Sequence, residues 1–357
     1  MEDWPYPTLL ADVGGTRVRF AIAEAAHTAP SLIRVLRTAD HRSLSDAARA
    51  YLVQIGRGAT ANASSRPSPA SRPLSAALAV ATPVEPARLG PVRLTNTAFE
   101  IDGVDLASSL DLAALWIVND FEALAWSLPT LSPAEIEVVG STAPSLAATL
   151  AVIGPGTGMG CAGLLRTAAG WHAVPGEGGH VTLAGRTAFE REVLAAAAEQ
   201  MEHVSAEKLL SGIGLPLLYR AVATVRADRA ATQPLPEPQE ITDRALSGND
   251  PLSREVVDTF CALLGGYAGN VTLTFGATGG LLIGGGIAAH IAGPLAAGTF
   301  RERFEDKGRF RGYLGSIGTA RILRAQPALD GLVHALDTAL ASLPVQRPGA
   351  IGRPGKP

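Results

Sequence analysis

Short apolar runs alternate along the chain with longer stretches whose apolar residues recur at helical spacing. The runs TLLADV (8–13), AALAVA (76–81), LWIVND (115–120), LAVIG (150–154) and LLIGG (281–285) predict buried strands. The Ala/Leu-rich stretches SLSDAARAYLVQI (43–55), FEALAWSL (121–128), AFEREVLAAAAEQM (188–201) and ALDGLVHALDTALASL (328–343) predict helices. Their alternation predicts an α/β architecture.

One plan occurs twice. TLLADVGGTRVRFAIAE (8–24) and LAVIGPGTGMGCAGLLR (150–166) both run from a strand through a Gly-rich turn carrying Thr into further apolar residues. After the first turn, Val18, Phe20 and Ile22 alternate with Arg17, Arg19 and Ala21, and period two means a returning strand. The turn is then the tip of a β-hairpin. Two related halves predict a duplicated fold with a cleft between them, and 357 residues also favour two domains. Residues 57–73, rich in Ser, Ala, Pro and Arg, predict a flexible insertion, and the tail 345–357 predicts disorder.

Composition narrows the classes. A formal charge of −3 supplies no basic field for a nucleic-acid backbone. Cys161 and Cys261 are too few for a disulfide framework or a four-cysteine zinc site. The opening MEDWPYP has acids and prolines where a signal peptide carries basic and then apolar residues, so a cytoplasmic protein is expected. Two uncharged stretches, 141–165 and 275–298, are broken by Gly and predict strands and tight turns rather than a membrane span.

The Gly-rich turns carry the first candidate chemistry. Backbone N–H groups bind phosphate at close range where Gly lets the chain approach, and Gly14-Gly15-Thr16 and Gly156-Thr157-Gly158 suit that need. A plain hairpin turn would use the same residues. Asp12 tips the balance, because a carboxylate at the end of a buried strand can hold Mg²⁺ through water beside ATP phosphates. No Walker-type G-x-x-x-x-G-K-[ST] occurs. Residues 158–163 match G-x-G-x-x-G, yet no amphipathic helix opens there and the matching acid is missing, which leaves a dinucleotide fold as a secondary reading. Gly284-Gly285-Gly286 suits either a nucleotide lying on bare backbone or a crowded strand-to-helix turn.

A polar set completes the inventory. Asn119-Asp120 closes one strand and opens a helix, where ligands gather in open α/β sheets, and either residue could equally be a helix cap. GEGGH sets Glu177 and His180 among glycines, which suits close wrapping of a polar ligand and also an exposed turn. Glu207 falls in the first turn of a helix capped by Ser205, a position the helix dipole alone explains. Taken together, these groups fit phosphoryl transfer to a polyol.

LADVGGTRVRFA, VNDFEALAWSLP, VIGPGTGMGCAGLL, VPGEGGHVTLA, HVSAEKLLSGIGL, GGLLIGGGIA and FEDKGRFRGYL stand in the order and spacing of the bacterial glucokinases. The chain resembles that family, of the hexokinase–actin superfamily, from about Leu9 to Leu343. The resemblance implies a two-domain actin-like ATPase (ribonuclease H-like) sugar kinase fold with glucose in an interdomain cleft. It implies a small domain over 1–130, completed by a C-terminal helix at 321–344, and a large domain over 131–320. Carried over by position, Asp120 is the catalytic base, and Asn119, Asp120, Glu177, His180 and Glu207 bind the sugar hydroxyls. Asp12, Val13, Gly14, Gly15 and Thr16 line the first phosphate turn, Gly156, Thr157 and Gly158 form the second, and Gly285-Gly286 lies by the adenosine. ATP and Mg²⁺ are the implied cofactors and a homodimer the implied assembly.

The chain departs from the family pattern in lacking a Trp within LTNTAFEI (94–101) and in carrying Ile213 where Pro is frequent. It also lacks the cysteine-rich zinc loop of the related repressor/kinase group, which argues against that group and against zinc. The expected reaction is in-line transfer of the γ-phosphoryl of Mg-ATP to the 6-hydroxyl of glucose. The competing readings are a kinase for another hexose, a catalytically silent sugar sensor and a nicotinamide dehydrogenase. A sensor of this type usually carries a helix-turn-helix, for which the short N-terminus leaves no room.

Overall fold

The computed structural model describes residues 3–57, 72–84, 91–93 and 99–347. The expected insertion at 57–73 lies outside these residues except at its ends, as does the tail beyond 347. The chain forms two compact units, one of Met1–Thr130, Thr167–His172 and Ala325–Pro357, the other of Leu131–Arg166 and Ala173–Arg324.

In the first unit, β1 (Thr8–Val13) and β2 (Arg17–Ala23) make the expected hairpin, and β3 (Ser31–Arg37) lies beside β2. Strand β4 (Ser75–Val80) joins β1 in parallel. A separate short pair, β5 (Val92–Arg93) and β6 (Glu100–Ile101), precedes β7 (Ala114–Asn119), which joins β4 in parallel. The sheet order is β3-β2-β1-β4-β7. Strands β1, β4 and β7 are buried nearly throughout, the condition under which strands read as continuous apolar runs. The helix Pro327–Ala339 packs on β1 and β4 and against the helix Asp120–Ser127. A Cβ at Gly331 would lie 1.8 Å from the Ala123 carbonyl oxygen, so glycine lets these two helices touch backbone to backbone.

The second unit holds β8 (Ile136–Val138), β9 (Leu150–Pro155), β10 (Met159–Thr167), β11 (Gly170–Gly176), β12 (Gly280–Ile283) and β13 (Thr319–Ile322). Its sheet order is β11-β10-β9-β12-β13-β8. The first five positions repeat the other sheet: an antiparallel hairpin, then two strands added in parallel. The duplication read from two segments therefore extends through a whole sheet. The core of this unit gathers around the helix Pro251–Phe275, which packs against the helix Thr299–Glu305.

Some boundaries differ from expectation. The strand at 281–285 stops at Ile283, because Gly285 takes φ 88° and turns the chain. The helix expected at 188–201 ends at Ala198. Residues 321–324 fall in the second unit, with Arg321 and Ile322 closing β13, and the terminal helix begins only at Pro327. The stretches 141–165 and 275–298 form β9, β10 and β12 with their turns and short helices.

Candidate active site

The first unit gathers one set of candidates at the carboxyl ends of its parallel strands. Asp12 pairs in register with Ala79 of β4, and Val80 pairs with Asn119 of β7, so Asp12, Val13 and Asn119 share one edge of the sheet. Asp12 Oδ2 accepts from Arg19 Nη1 at 2.9 Å. Burial raises the Asp12 carboxyl above its ordinary range, and the Arg19 charge opposes that rise.

The turn beyond β1 is closed by Gly14 N–H donating to Arg17 O at 3.0 Å. Its carbonyls are tied backward: Thr38 Oγ1 donates to Gly15 O at 2.8 Å and Thr38 N to Thr16 O at 3.1 Å. The N–H groups of Gly15 and Thr16 donate to no group among the described residues, and both residues are exposed. Carbonyls already paired and exposed amides without an acceptor make a turn suited to an anion.

At the end of β7, the choice between two caps has a structural answer. Asn119 Oδ1 accepts from Phe121 N at 2.9 Å and Glu122 N at 3.3 Å, while its Nδ2 donates to Thr82 O at 3.2 Å. Asn119 is the N-cap. Asp120 becomes the first helical residue, half-buried, with Oδ1 accepting from Phe121 N at 2.9 Å.

The second unit repeats the turn. Gly156 N–H donates to Gly158 O at 2.9 Å, closing the tip between β9 and β10. Gly212 N donates to Gly156 O at 2.8 Å and Ile213 N to Thr157 O at 3.5 Å. The N–H groups of Thr157 and Gly158 donate to no group among the described residues. Two turns in two units thus share one electrostatic plan.

GEGGH forms a 3₁₀ turn at Gly178–His180, with the Glu177 and His180 side chains 54% and 59% exposed and facing each other at 3.7 Å. A Cβ at Gly179 would meet Met159 O at 2.0 Å, so the loop lies directly on the start of β10. Thr182 bridges to Ser205 and Ala206 N donates to Val181 O at 3.0 Å, which brings the helix Ala206–Leu209 beside the loop. Ser205 caps that helix as expected, accepting from Lys208 N at 3.3 Å. Glu207 does more than face the helix dipole: its Oε2 accepts from Met159 N at 3.0 Å and its Oε1 lies 3.9 Å from His180 Nδ1.

Gly285 is crowded against the second turn, since a Cβ there would meet Pro155 O at 2.3 Å. Gly286 opens the helix Gly286–His290, and a Cβ at this position would have nothing within 4 Å, so bare backbone faces outward beside the turn. Within the second unit, Gly156, Thr157, Gly158, Glu177, His180, Glu207, Gly285 and Gly286 are thereby brought together. Sequence reasoning missed Thr38, Gly212 and the Met159 peptide. Their contacts join residues far apart in sequence; Gly212 and Met159 stand within quoted motifs that do not show what they pair with, and Thr38 stands in none.

Two sheets that match over five strand positions, each with a hairpin and two strands added in parallel, are those of the two-domain actin-like ATPase, ribonuclease H-like fold, and sugar kinases are its structural neighbours. The glucokinase family model matches residues 9–339. A glucokinase of Aromatoleum aromaticum is 42% identical over 94% of this chain and 96% of its own. The crystal structure of a glucokinase from an Antarctic psychrotroph superposes with a TM-score of 0.79 at 32% identity, covering 92% of this chain and 98% of that one. A glucokinase of the ROK family from Streptomyces griseus, solved with glucose and AMPPNP, shares the fold at 16% identity and a TM-score of 0.59, covering 94% of this chain and all of its own. The chain belongs to the glucokinase family.

Proposed function

We infer that this chain is an ATP-dependent glucokinase, transferring the γ-phosphoryl group of Mg-ATP to the 6-hydroxyl of glucose to give glucose 6-phosphate and ADP. The observation that carries the reading is the pair of glycine turns with carbonyls tied back and amides free. Family membership supplies the sugar, and the relative solved with glucose and AMPPNP supports both ligands.

Asn119, Asp120, Glu177, His180 and Glu207 bind the sugar hydroxyls in this reading. Asp120 accepts the proton of the 6-hydroxyl as the new O–P bond forms and the bond to the ADP oxygen breaks. Asn119 is the N-cap of the helix, and Asp120, its first residue, accepts from Phe121 N through Oδ1. The amides of Gly15 and Thr16 and of Thr157 and Gly158 stabilise phosphate oxygens, and Gly285-Gly286 gives the adenosine a surface without side chains.

Among the described residues no cluster of three His, Cys, Asp or Glu could hold a metal. A divalent ion beside the phosphates would be held in this reading by the Asp12 carboxylate, water and phosphate oxygens, a donor set that suits Mg²⁺. Asp12, with one oxygen engaged by Arg19, fits that part. Bound Mg²⁺ would neutralise charge on the phosphates. We further propose that the enzyme works in the cytoplasm as a homodimer, with neither nucleic acid nor membrane as partner, as family membership supports.

Replacing Asp120 tests the mechanism. Asp120→Asn is expected to lower kcat by about 10²–10⁴-fold while glucose still binds. Near-parental turnover would remove Asp120 as base. ADP release measured with glucose, fructose, mannose and N-acetylglucosamine in turn tests the sugar, and glucose should give the highest kcat/KM.

A further inference from the structure

We propose that Glu207 is a positioning residue for the second phosphate turn, so that one carboxylate supports nucleotide binding as well as sugar binding. The proposal rests on the reading of Gly156–Gly158 as a phosphate site and adds a role for Glu207 within it.

The backbone of Met159, immediately after that turn, is contacted at both its N–H and its carbonyl. Its N–H donates to Glu207 Oε2 at 3.0 Å. Its carbonyl lies under the sugar loop, where a Cβ at Gly179 would come within 2.0 Å of the oxygen. Glu207 also covers the turn itself, since a Cβ at Gly158 would sit 2.5 Å from Oε2. The other carboxylate oxygen faces His180 Nδ1 at 3.9 Å. One side chain therefore stands between the loop that carries Glu177 and His180 and the turn whose Thr157 and Gly158 amides have no acceptor among the described residues.

The backbone that follows Glu207 acts on the same turn. Gly212 N and Ile213 N hold the carbonyls of Gly156 and Thr157. The segment 205–213 thus grips the turn at its carbonyls and, through Glu207, at the first amide of β10. With those groups paired, the amides of Thr157 and Gly158 are the ones left to face a ligand. Met159 is 5% exposed, so removing the carboxylate strands its N–H with little water to replace the lost acceptor. A preorganised amide pair would become a loose one, and the cost would fall on phosphate affinity before any sugar is present.

Calorimetric titration of the full chain with a non-hydrolysable ATP analogue, without sugar, tests this. Glu207→Ala should raise the nucleotide Kd about tenfold. Glu207→Asp keeps the charge but is a methylene too short to reach Met159 N, and should lose a similar factor. Glu207→Gln keeps an acceptor of the right length, and should stay within about twofold of the parent while losing glucose affinity through the missing charge. A nucleotide Kd unchanged in both the Ala and Asp variants overturns the proposal. So does a loss in Gln equal to that in Ala, since a hydrogen bond would then not be its cause. Thermal unfolding of each variant separates this from general loosening: rescue of nucleotide affinity by Gln, with Gln and Ala equal in Tm, is not what a purely structural residue would show. A parent chain that fails to bind the analogue overturns the phosphate-site reading itself, a result distinct from any difference among the variants.

Discussion

Thr38 does for the first glycine turn what Gly212 and Ile213 do for the second. It is 3% exposed, and its hydroxyl and amide hold the carbonyls of Gly15 and Thr16. Thr38→Val keeps the shape and removes the hydroxyl, leaving Gly15 O unpaired. We expect KM for ATP to rise about fivefold with kcat nearly unchanged, a split read from steady-state kinetics. Nothing in the sequence marks Thr38, which follows an unremarkable strand and reaches its partner across 23 residues. Asn119 and Asp120 show a different limit. Both residue types cap helices, so their adjacency leaves the cap undecided, and only the Oδ1 contacts of Asn119 decide it. Asn119→Ala should cost about 1–2 kcal/mol in denaturant unfolding through loss of that cap. Glu122, two positions beyond Asp120, adds a pH dependence. Burial pushes its carboxyl up to about 7, against about 4.3 in an unfolded chain. The folded state therefore holds an extra proton between those values, and the stability tied to it is complete below about pH 4.3 and lost as pH rises through about 7. Glu122→Gln should flatten that loss, seen as a Tm advantage over the parent that grows from about pH 5 to about pH 8.

At the scale of elements, strands buried on both faces were the most legible. The runs at 8–13, 76–81, 115–120 and 150–154 all lie on strands within a residue or two, because burial on both faces leaves no polar position to confuse the pattern. The helix Pro251–Phe275 escaped notice although it is the longest among the described residues. Its sequence carries Gly265, Gly266 and Gly269, which weaken a helical signal. Gly265 and Gly269 serve tertiary packing: a Cβ at Gly265 would meet Phe300 O at 2.1 Å and one at Gly269 would meet Phe304 O at 2.5 Å. Packing of one helix on another overrides propensity there, and packing cannot be read from either helix alone. Gly331 makes the same kind of approach to the helix that begins at Asp120. Gly331→Ala should destabilise the protein by about 1–3 kcal/mol and also lower kcat, because the helix that must shift carries Asp120. A urea midpoint and a turnover number, measured together, check both.

For the molecule as a whole, the internal repeat was visible only where both copies use an apolar strand and a glycine turn. The third strand of each copy was not. In β3 most residues are exposed, and Leu32 takes φ 55°, so SLIRVLR shows no buried period. The candidate site is legible as a set of candidate positions, since glycines and acids at strand ends are conspicuous. What holds those positions, the ties from Thr38, Gly212 and Glu207, was not, because each tie is a contact between distant segments.

The first unit is discontinuous: its strands β1 to β7 come early, and its helix Pro327–Ala339 is encoded after the entire second unit. On the ribosome, then, the order of manufacture and the order of completion are opposed. The sheet translated first must wait, with the face destined for that helix uncovered, while the chain from Leu131 to Arg324 emerges and finishes its own core. An uncovered face of this kind exposes the chain to aggregation, and a holding chaperone would have its natural target in the oldest part of the chain rather than the newest.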